Sequence, residues 1–197
     1  NGDANVPFYK ELGNQGISAK DIPVVAFSVG EEELSGIDTK PLVGHLAAWN
    51  YFQSVESDEN SQFIDTWHKF TGKANRVTND PMEATYIGFN MWVKAVEKAG
   101  TTDPDAVQEA LIGVSVPNLT GGTATMMPNH HITKPVLIGE IQDDGQFEVV
   151  SETKGTVVGD EWSDYLPGSR DLISDWRKPL ACGNFNVKTG KCGGSGK

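Results

Sequence analysis

The sequence predicts an α/β fold, chiefly from the order of its elements. A helix over about residues 5–13 is followed by an apolar strand at residues 22–28, a second strand at residues 44–52 and then a helical block. Strand-like stretches fill the last third of the chain. Strands and helices that follow one another in this order are typical of α/β proteins. Because the run at 22–28 is continuously apolar, it predicts a strand covered on both faces, as in a parallel sheet.

Local signals define the ends of the predicted helices. In the first helix, Asn5 is the predicted N-cap and Pro7 lies in the first turn, where the missing N–H is not needed. The stretch SDENSQFIDTWHKFTG has Ser57 as its predicted N-cap. Its aromatic residues are spaced to share one helical face, namely Phe63, Trp67 and Phe70.

The stretch DPMEATYIGFNMWVKAVEKAG predicts the longest helix. Asp80 is its predicted N-cap and Glu83 the N3 residue of a capping box. Apolar residues at alternating spacings of four and three predict that much of the helix is buried. These residues are Met82, Tyr86, Phe89, Val93 and Val96, with Ile87 and Met91 widening the stripe. A short helix is predicted at about residues 104–112.

The charge of the chain excludes nucleic-acid binding. The 16 basic residues are outnumbered by 27 acidic ones, which gives a net charge of −11. Binding to phosphates requires clustered Lys and Arg, and the sequence has no basic run. No apolar segment approaches the roughly 20 residues of a membrane span.

No sequence motif indicates an enzyme. The GxGxxG, P-loop, GxSxG and HExxH motifs are all absent from the sequence. His130 and His131 are adjacent, so in an extended chain they would point to opposite faces and could not grip one metal ion together. The DDG at residues 143–145 predicts that the strands at 135–141 and 146–150 form a β-hairpin. We therefore expect neither catalysis nor a cofactor.

Two polar loops are candidates for ligand binding. NGDAN carries Asp3 and Asn5, and the acidic run EEE begins at Glu31. Each loop is predicted to follow a strand, which is where open α/β sheets bind ligands. The structural alternative is helix capping and turn formation for both loops, with a solvated acidic run. A single carboxylate of that run at the mouth of a cleft is the competing interpretation.

Two cysteines lie near the end of the chain, in CGNFNVKTGKC. Nine residues rich in turn formers separate Cys182 from Cys192, and we expect a disulfide between them. A structural disulfide would imply an oxidising compartment. Residues 193–197 are predicted to be a flexible tail.

Several stretches together resemble one family of receptors. They are GDANVPFYKEL, FSVGEEEL, VGHLAAWNYFQSV, DPMEATYIGFNMWVKAVEKAG, PNHHITKPVLIGEIQDDGQFEVV and WRKPLACGNFNVKTGKC. In aggregate they are similar to the urea and short-chain amide substrate-binding proteins of ABC transporters, which are type I periplasmic binding proteins. The resemblance implies two Rossmann-like lobes joined by a hinge, with the ligand between them.

The resemblance also implies domain boundaries. Residues 1–47 would form the first part of the second lobe, and residues 143–192 its second part with a C-terminal extension. Residues 52–138 would be the C-terminal part of the first lobe. Hinge crossings would lie at 48–51 and 139–142. The N-terminal part of the first lobe would be missing from this chain, and its remainder would be a partner, either continuous with it or a separate chain.

The function implied is that of a solute-binding receptor of an ABC importer. It would capture urea or a short-chain amide in the periplasm or at the cell surface and would deliver it to membrane permease subunits. Candidate ligand residues are Asp3, Asn5, Ser28 and Glu31, from the loops after strands. Tyr86 could reach the cleft from the first lobe, although its place on the apolar stripe favours the core. The alternative is a ligand-sensing regulator of the same fold, which in the cytosol would keep its cysteines reduced.

Overall fold

The computed structural model describes residues 2–160, Tyr165 and the backbone of two short strands, β7 (Phe185–Asn186) and β8 (Lys191–Cys192). Residues up to Gly159 form one compact unit, and residues from Asp160 onward form another. The helices of the first unit are α1 (Asn5–Asn14), α2 (Glu31–Leu34), α3 (Asp58–Thr71), α4 (Asp80–Ala99) and α5 (Pro104–Leu111). Its strands are β1 (Val25–Ala26), β2 (Leu46–Trp49), β3 (Ser115–Pro117), β4 (Thr123–Thr125), β5 (Leu137–Ile141) and β6 (Phe147–Glu152).

The main sheet has four strands in the order β1-β2-β5-β6. Strands β1 and β2 are parallel, whereas β2 pairs with β5 and β5 with β6 in antiparallel register. The α/β class is therefore confirmed, but the expected parallel sheet is reduced to one pair. A tight turn joins β5 to β6, and such a turn connects only antiparallel neighbours.

The first predicted strand is much shorter than expected. Only Val25 and Ala26 pair with β2, although residues 22–28 form an apolar run. In the described structure β1 lies at the sheet edge, with Val25 48% and Phe27 73% exposed. The expectation that this strand is covered on both faces is wrong for the described residues. The second strand is also shorter than predicted, since the sequence predicts residues 44–52 and the structure has β2 at Leu46–Trp49.

The hairpin predicted at DDG is confirmed. Gln142 N–H donates to the carbonyl oxygen of Gln146 at 2.9 Å and closes the loop. Gly145 has a φ of +81°, a conformation that glycine adopts without a steric penalty.

Two hydrophobic cores lie within the first unit. The first core surrounds the sheet and consists of Tyr9, Val29, Leu34, Leu42, Ala47, Phe52, Leu137, Ile141 and Phe147. The second core joins α4 and α5 to the β3–β4 pair and consists of Ile87, Met91, Ala95, Val107, Val114, Val116 and Ala124. The lobe boundaries stay a prediction.

Close packing in the first core limits the size of the residue at one position of β5. The rings of Phe52 and Phe147 stack with their centroids 4.6 Å apart. A Cβ at Gly139 would lie 2.7 Å from two carbons of the Phe52 ring. Only glycine therefore fits at this position without displacing the ring.

The predicted N-cap of α3 is confirmed, and that of α1 is wrong. Ser57 Oγ accepts a hydrogen bond from Asn60 N–H at 3.0 Å at the start of α3. Asn5 is already helical, with Ala4 as the preceding residue. Its side-chain amide donates to the carbonyl oxygen of Ser28 in a distant loop, and it does not cap the helix.

The longest predicted helix is confirmed as α4, but its cap and its buried face differ. Asn79 is the N-cap and accepts from Met82 N–H at 3.1 Å. Asp80 is thus inside the helix, and Glu83 forms no capping box because it is buried in an ion pair. The buried residues of α4 are Glu83, Ile87, Met91 and Ala95.

Much of the predicted apolar stripe of α4 lies in solvent. Tyr86 is 44% and Phe89 61% exposed. The helix carries apolar side chains on two sides, and periodicity alone does not tell which side the rest of the chain covers. Within the described residues, no helix is both long and apolar enough to span a membrane.

Candidate ligand-binding site

Glu31 is a buried carboxylic acid at the start of α2. Only 1% of the residue is exposed. Its Oε1 accepts the backbone N–H of Gln53 at 2.7 Å, and its Oε2 is buried with no hydrogen-bond partner in the described structure. Burial raises the pKa of Glu31 from 4.5 to about 8, although the backbone N–H groups of Gln53 and of Glu31 itself favour the ionised form; the carboxylates of Asp80 and Glu33 raise the pKa slightly further. The group is therefore largely protonated at neutral pH.

The acidic run divides into three environments. Glu32 is exposed and pairs with Arg76 at 3.0 Å, as a solvated surface carboxylate does. Glu33 Oε2 accepts Gly30 N–H at 2.9 Å and closes the first turn of α2. The interpretation of the whole run as solvated is wrong for Glu31. The sequence carries no local signal that separates these three neighbours.

The two candidate loops meet. Asn5 Nδ2 donates to the Ser28 carbonyl oxygen at 2.5 Å and lies 3.5 Å from Ser28 Oγ. Trp49 Nε1 donates to the carbonyl oxygen of Val29 at 2.6 Å, which ties the same loop to β2. Asn5 thus fixes the Ser28–Glu31 loop. Asp3 lies nearby in sequence, in an exposed 3₁₀ turn at Gly2–Ala4.

The segment that leaves β2, residues 50–55, is enclosed by polar side chains, and we call it the crossing segment. Asp80 Oδ1 accepts Asn50 N–H at 2.9 Å. Asn60 Nδ2 donates to the carbonyl oxygens of Gln53 and Val55 at 3.0 and 2.6 Å. Since buried backbone groups need partners, these contacts fix the path of the segment toward Glu31.

A buried ion pair lies beside the crossing segment. Lys134 Nζ pairs with Glu83 Oε2, and the side chains are 7% and 0% exposed. Burial raises the pKa values of Glu83 and Asp80, and the Lys134 ammonium partly offsets this. Asn50 Nδ2 donates to the carbonyl oxygen of Pro135 at 2.7 Å, which joins the chain before β5 to the same cluster.

Tyr86 of α4 contacts α3. Its ring centroid is 4.9 Å from that of Phe63, and 44% of the residue is exposed, so it is not a core side chain. It lines an open groove of about 630 Å³ between α3 and the start of α4, which we call the aromatic groove. The groove is lined by Glu32, Phe63, Trp67, Arg76, Asn79, Pro81, Met82, Thr85 and Tyr86.

The adjacent histidines lie in a turn and not in an extended strand. The backbone N–H of His130 donates to the carbonyl oxygen of Met127 at 2.9 Å. The backbone N–H of Met127 donates to the carbonyl oxygen of His131 at 2.7 Å. Both histidines are exposed at a cavity of about 540 Å³. In the part of the chain that the structure describes, no group of three or more His, Cys, Asp or Glu side chains is arranged to hold a metal ion.

Sequence reasoning found Glu31 but missed the polar groups that hold it. Tyr51, Asn60 and Thr78 are fully or almost fully buried, although two of them are polar and lie near helix starts. No spacing pattern reveals them, because their burial arises from contacts between distant segments. The predicted disulfide involves Cys182, which lies outside the described residues.

Comparison with known proteins identifies the family. The model of the family described as "periplasmic binding protein domain" matches residues 1–168. A solute-binding protein of an ABC transporter from Rhodopseudomonas palustris HaA2, solved with p-hydroxybenzoic acid, is 25% identical. It superposes with a TM-score of 0.66 over 77% of this chain and 42% of its own.

Two further relatives cover the chain in part. An amino acid ABC transporter substrate-binding protein from Pseudomonas fluorescens Pf-5 is 20% identical, with a TM-score of 0.65 over 81% of this chain and 43% of its own. A protein named limonene hydroxylase from Geobacillus stearothermophilus is 33% identical over 112 residues, which are 57% of this chain and 20% of that protein. The chain thus spans about two fifths of the length of the solved relatives.

The matched residues include both candidate loops, Glu31 and the crossing segment. The solved relatives share the mixed α/β architecture described above. The chain belongs to the periplasmic binding protein domain family.

Proposed function

We propose that this chain is part of the solute-binding receptor of an ABC importer that captures urea or a short-chain amide without catalysis. The receptor acts outside the cytoplasm and passes its ligand to membrane permease subunits. In this proposal the cleft is closed by a further part of the first lobe, since the chain covers only 42% of the length of the R. palustris relative. The alternative, a ligand-sensing regulator of the same fold, requires reduced cysteines in the cytosol.

The observation that carries the proposal is the unpartnered Oε2 of Glu31. A buried polar atom without a partner is unfavourable by about 1–3 kcal/mol, so a ligand group that meets it gains that free energy. An amide offers both an N–H donor and a carbonyl acceptor. It can therefore pair with the ionised carboxylate through N–H, or with the protonated acid through C=O.

The surroundings of Glu31 favour a ligand whose group next to Glu31 is not a carboxylate. The carboxylates of Asp80 and Glu33 lie close enough to raise the pKa of Glu31, so a ligand carboxylate would add a further negative charge to this group. A ligand carboxylate would be repelled there, whereas the N–H groups of urea or acetamide would be attracted. Asp3, Asn5 and Ser28 supply further oxygen atoms on the adjoining loops, and Asn5 Nδ2 holds the Ser28 carbonyl in place.

A second ligand class is favoured by the aromatic groove. Its walls include Phe63, Trp67 and Tyr86, and Arg76 lies among them. An aromatic carboxylate such as the p-hydroxybenzoic acid of the R. palustris relative could stack on the rings and pair with Arg76. This requires Arg76 to leave Glu32, with which it pairs at 3.0 Å.

Calorimetric titration of the intact receptor tests the proposal. The ligands are urea, acetamide, formamide, leucine and 4-hydroxybenzoate. Saturable heat from urea or a short amide, with none from leucine, is the expected outcome. Heat from 4-hydroxybenzoate alone would move the site to the aromatic groove. Saturation by leucine alone would contradict the amide assignment.

A further inference from the structure

The Gln53 peptide is held from two sides while its N–H reaches Glu31. Thr78 N–H donates to the Gln53 side-chain Oε1 at 2.7 Å. Asn60 Nδ2 donates to the Gln53 carbonyl oxygen at 3.0 Å. The backbone N–H of Gln53 then donates to Glu31 Oε1 at 2.7 Å. The position of this one residue therefore determines the hydrogen bond that Glu31 Oε1 accepts.

A single buried hydroxyl couples the two groups that hold Gln53. Tyr51 is 0% exposed, and its OH lies 2.7 Å from both Asn60 Oδ1 and Thr78 Oγ1. Burial raises the pKa of Tyr51, so the hydroxyl keeps its proton. Because Asn60 Oδ1 can only accept, Tyr51 donates to it and accepts from Thr78. Asn60 is thereby oriented with its amide hydrogens on the crossing segment.

We propose that Tyr51 is a positioning residue for ligand capture, since it orients Asn60 and Thr78 so that Gln53 engages Glu31 Oε1 while the buried Oε2 keeps no partner within the described residues. This inference rests on the proposed function for its purpose, but the geometry it describes exists without ligand. Buried hydrogen bonds in a chain polarise and strengthen one another, so we expect loss of the Tyr51 hydroxyl to weaken the bonds from Asn60 and Thr78 to Gln53.

The pKa of Glu31 provides a measure of this chain of hydrogen bonds. The Gln53 N–H favours the ionised carboxylate, so a looser contact raises the pKa of Glu31. The titratable groups that face Glu31 are Glu33 on its own helix, Asp80 on α4 and Tyr51 on the crossing segment. A Tyr51→Phe change leaves both carboxylates in place and removes only the hydroxyl.

The test is a pH titration of the Gln53 backbone amide by ¹H–¹⁵N NMR in the intact receptor without ligand. We expect Tyr51→Phe to move the midpoint upward by about half a pH unit. Thr78→Val should do the same, and Thr78→Ser, which keeps the hydroxyl, should restore the original midpoint. Glu31→Gln should abolish the pH dependence of the Gln53 amide signal, which would assign that pH dependence to the Glu31 carboxyl group.

Tyr9→Phe is the matched control. Tyr9 is 1% exposed and lies in the first core, and its OH has no hydrogen-bond partner in the described structure. Its loss should leave the midpoint unchanged. Unchanged midpoints in Tyr51→Phe and Thr78→Val, or an equal shift in Tyr9→Phe, would overturn the inference. Failure of the intact receptor to bind any amide would contradict the proposed function and leave the positioning result standing.

Discussion

Replacement of Glu31 by Gln should change how the stability of the chain depends on pH. Gln keeps the size of the side chain and an oxygen that can accept the Gln53 N–H, but it does not ionise. In the folded chain, burial raises the pKa of Glu31 from 4.5 to about 8. The folded state therefore binds more protons than the unfolded state between these two values.

The sign of the effect follows from that difference. For an acid whose pKa is raised on folding, the stabilising contribution is fully present below the unfolded pKa and is lost as the pH rises through the folded pKa. Since each pH unit between the two pKa values is worth about 1.4 kcal/mol, ionisation of Glu31 should cost the folded chain roughly 3–5 kcal/mol by about pH 9. The Glu31→Gln variant does not lose this stability, because its side chain does not ionise.

The assay is denaturation by guanidinium chloride between about pH 5 and about pH 9, the range in which the Glu31 contribution is lost. Urea is avoided because it is a proposed ligand. Asp80 and Glu83 titrate in both proteins, so their contributions largely cancel in the difference between variant and parent. Glu31→Gln should gain stability relative to the parent as the pH rises. Glu32→Gln, at an exposed carboxylate, is the control and should show a constant difference.

A constant difference between Glu31→Gln and the parent across the pH range would refute the reasoning. It would mean that Glu31 is hydrated or ionised in the folded chain. A gain that appears equally in Glu32→Gln would point to the net charge of −11 as the cause.

Three other predictions have defined expected outcomes. Lys134→Met should destabilise the chain by roughly 3–5 kcal/mol by leaving buried carboxylates unpaired, and a second change of Glu83→Leu should recover much of that loss in the same denaturation assay. Gly139→Ala should lower stability by about 1–3 kcal/mol, because the new Cβ would lie 2.7 Å from a phenyl ring; a wild-type unfolding midpoint would contradict this. Cys182 and Cys192 should be oxidised, so thiol counting under denaturing, non-reducing conditions should find no free thiol, and two free thiols would refute the disulfide.

Elements with strong local signals could be predicted from the sequence. Ser57 caps α3 through its own hydroxyl, and Gly145 supplies the conformation that the hairpin turn needs. Both depend on residues within a few positions along the chain. The α/β class follows from the order of such elements.

Features that depend on which surfaces meet could not be predicted. In α4 the spacing of Tyr86 and Phe89 indicates an apolar face as clearly as that of Ile87 and Met91, yet only the latter pair is buried. Glu31 is likewise indistinguishable in sequence from its two acidic neighbours. Its burial depends on the crossing segment, which contacts it from 22 positions away in the chain.

The central claim is that the Glu31 carboxyl group meets the ligand, and the affinity of the intact receptor for its amide ligand tests it most directly. Glu31→Leu removes both oxygens and should weaken binding by roughly ten- to a hundredfold, the effect of losing a buried hydrogen-bond partner. Glu32→Leu, one position along the acidic run, should leave the affinity within about twofold, since an exposed pair contributes little. Equal losses in both variants, or an unchanged affinity in Glu31→Leu, would contradict the account.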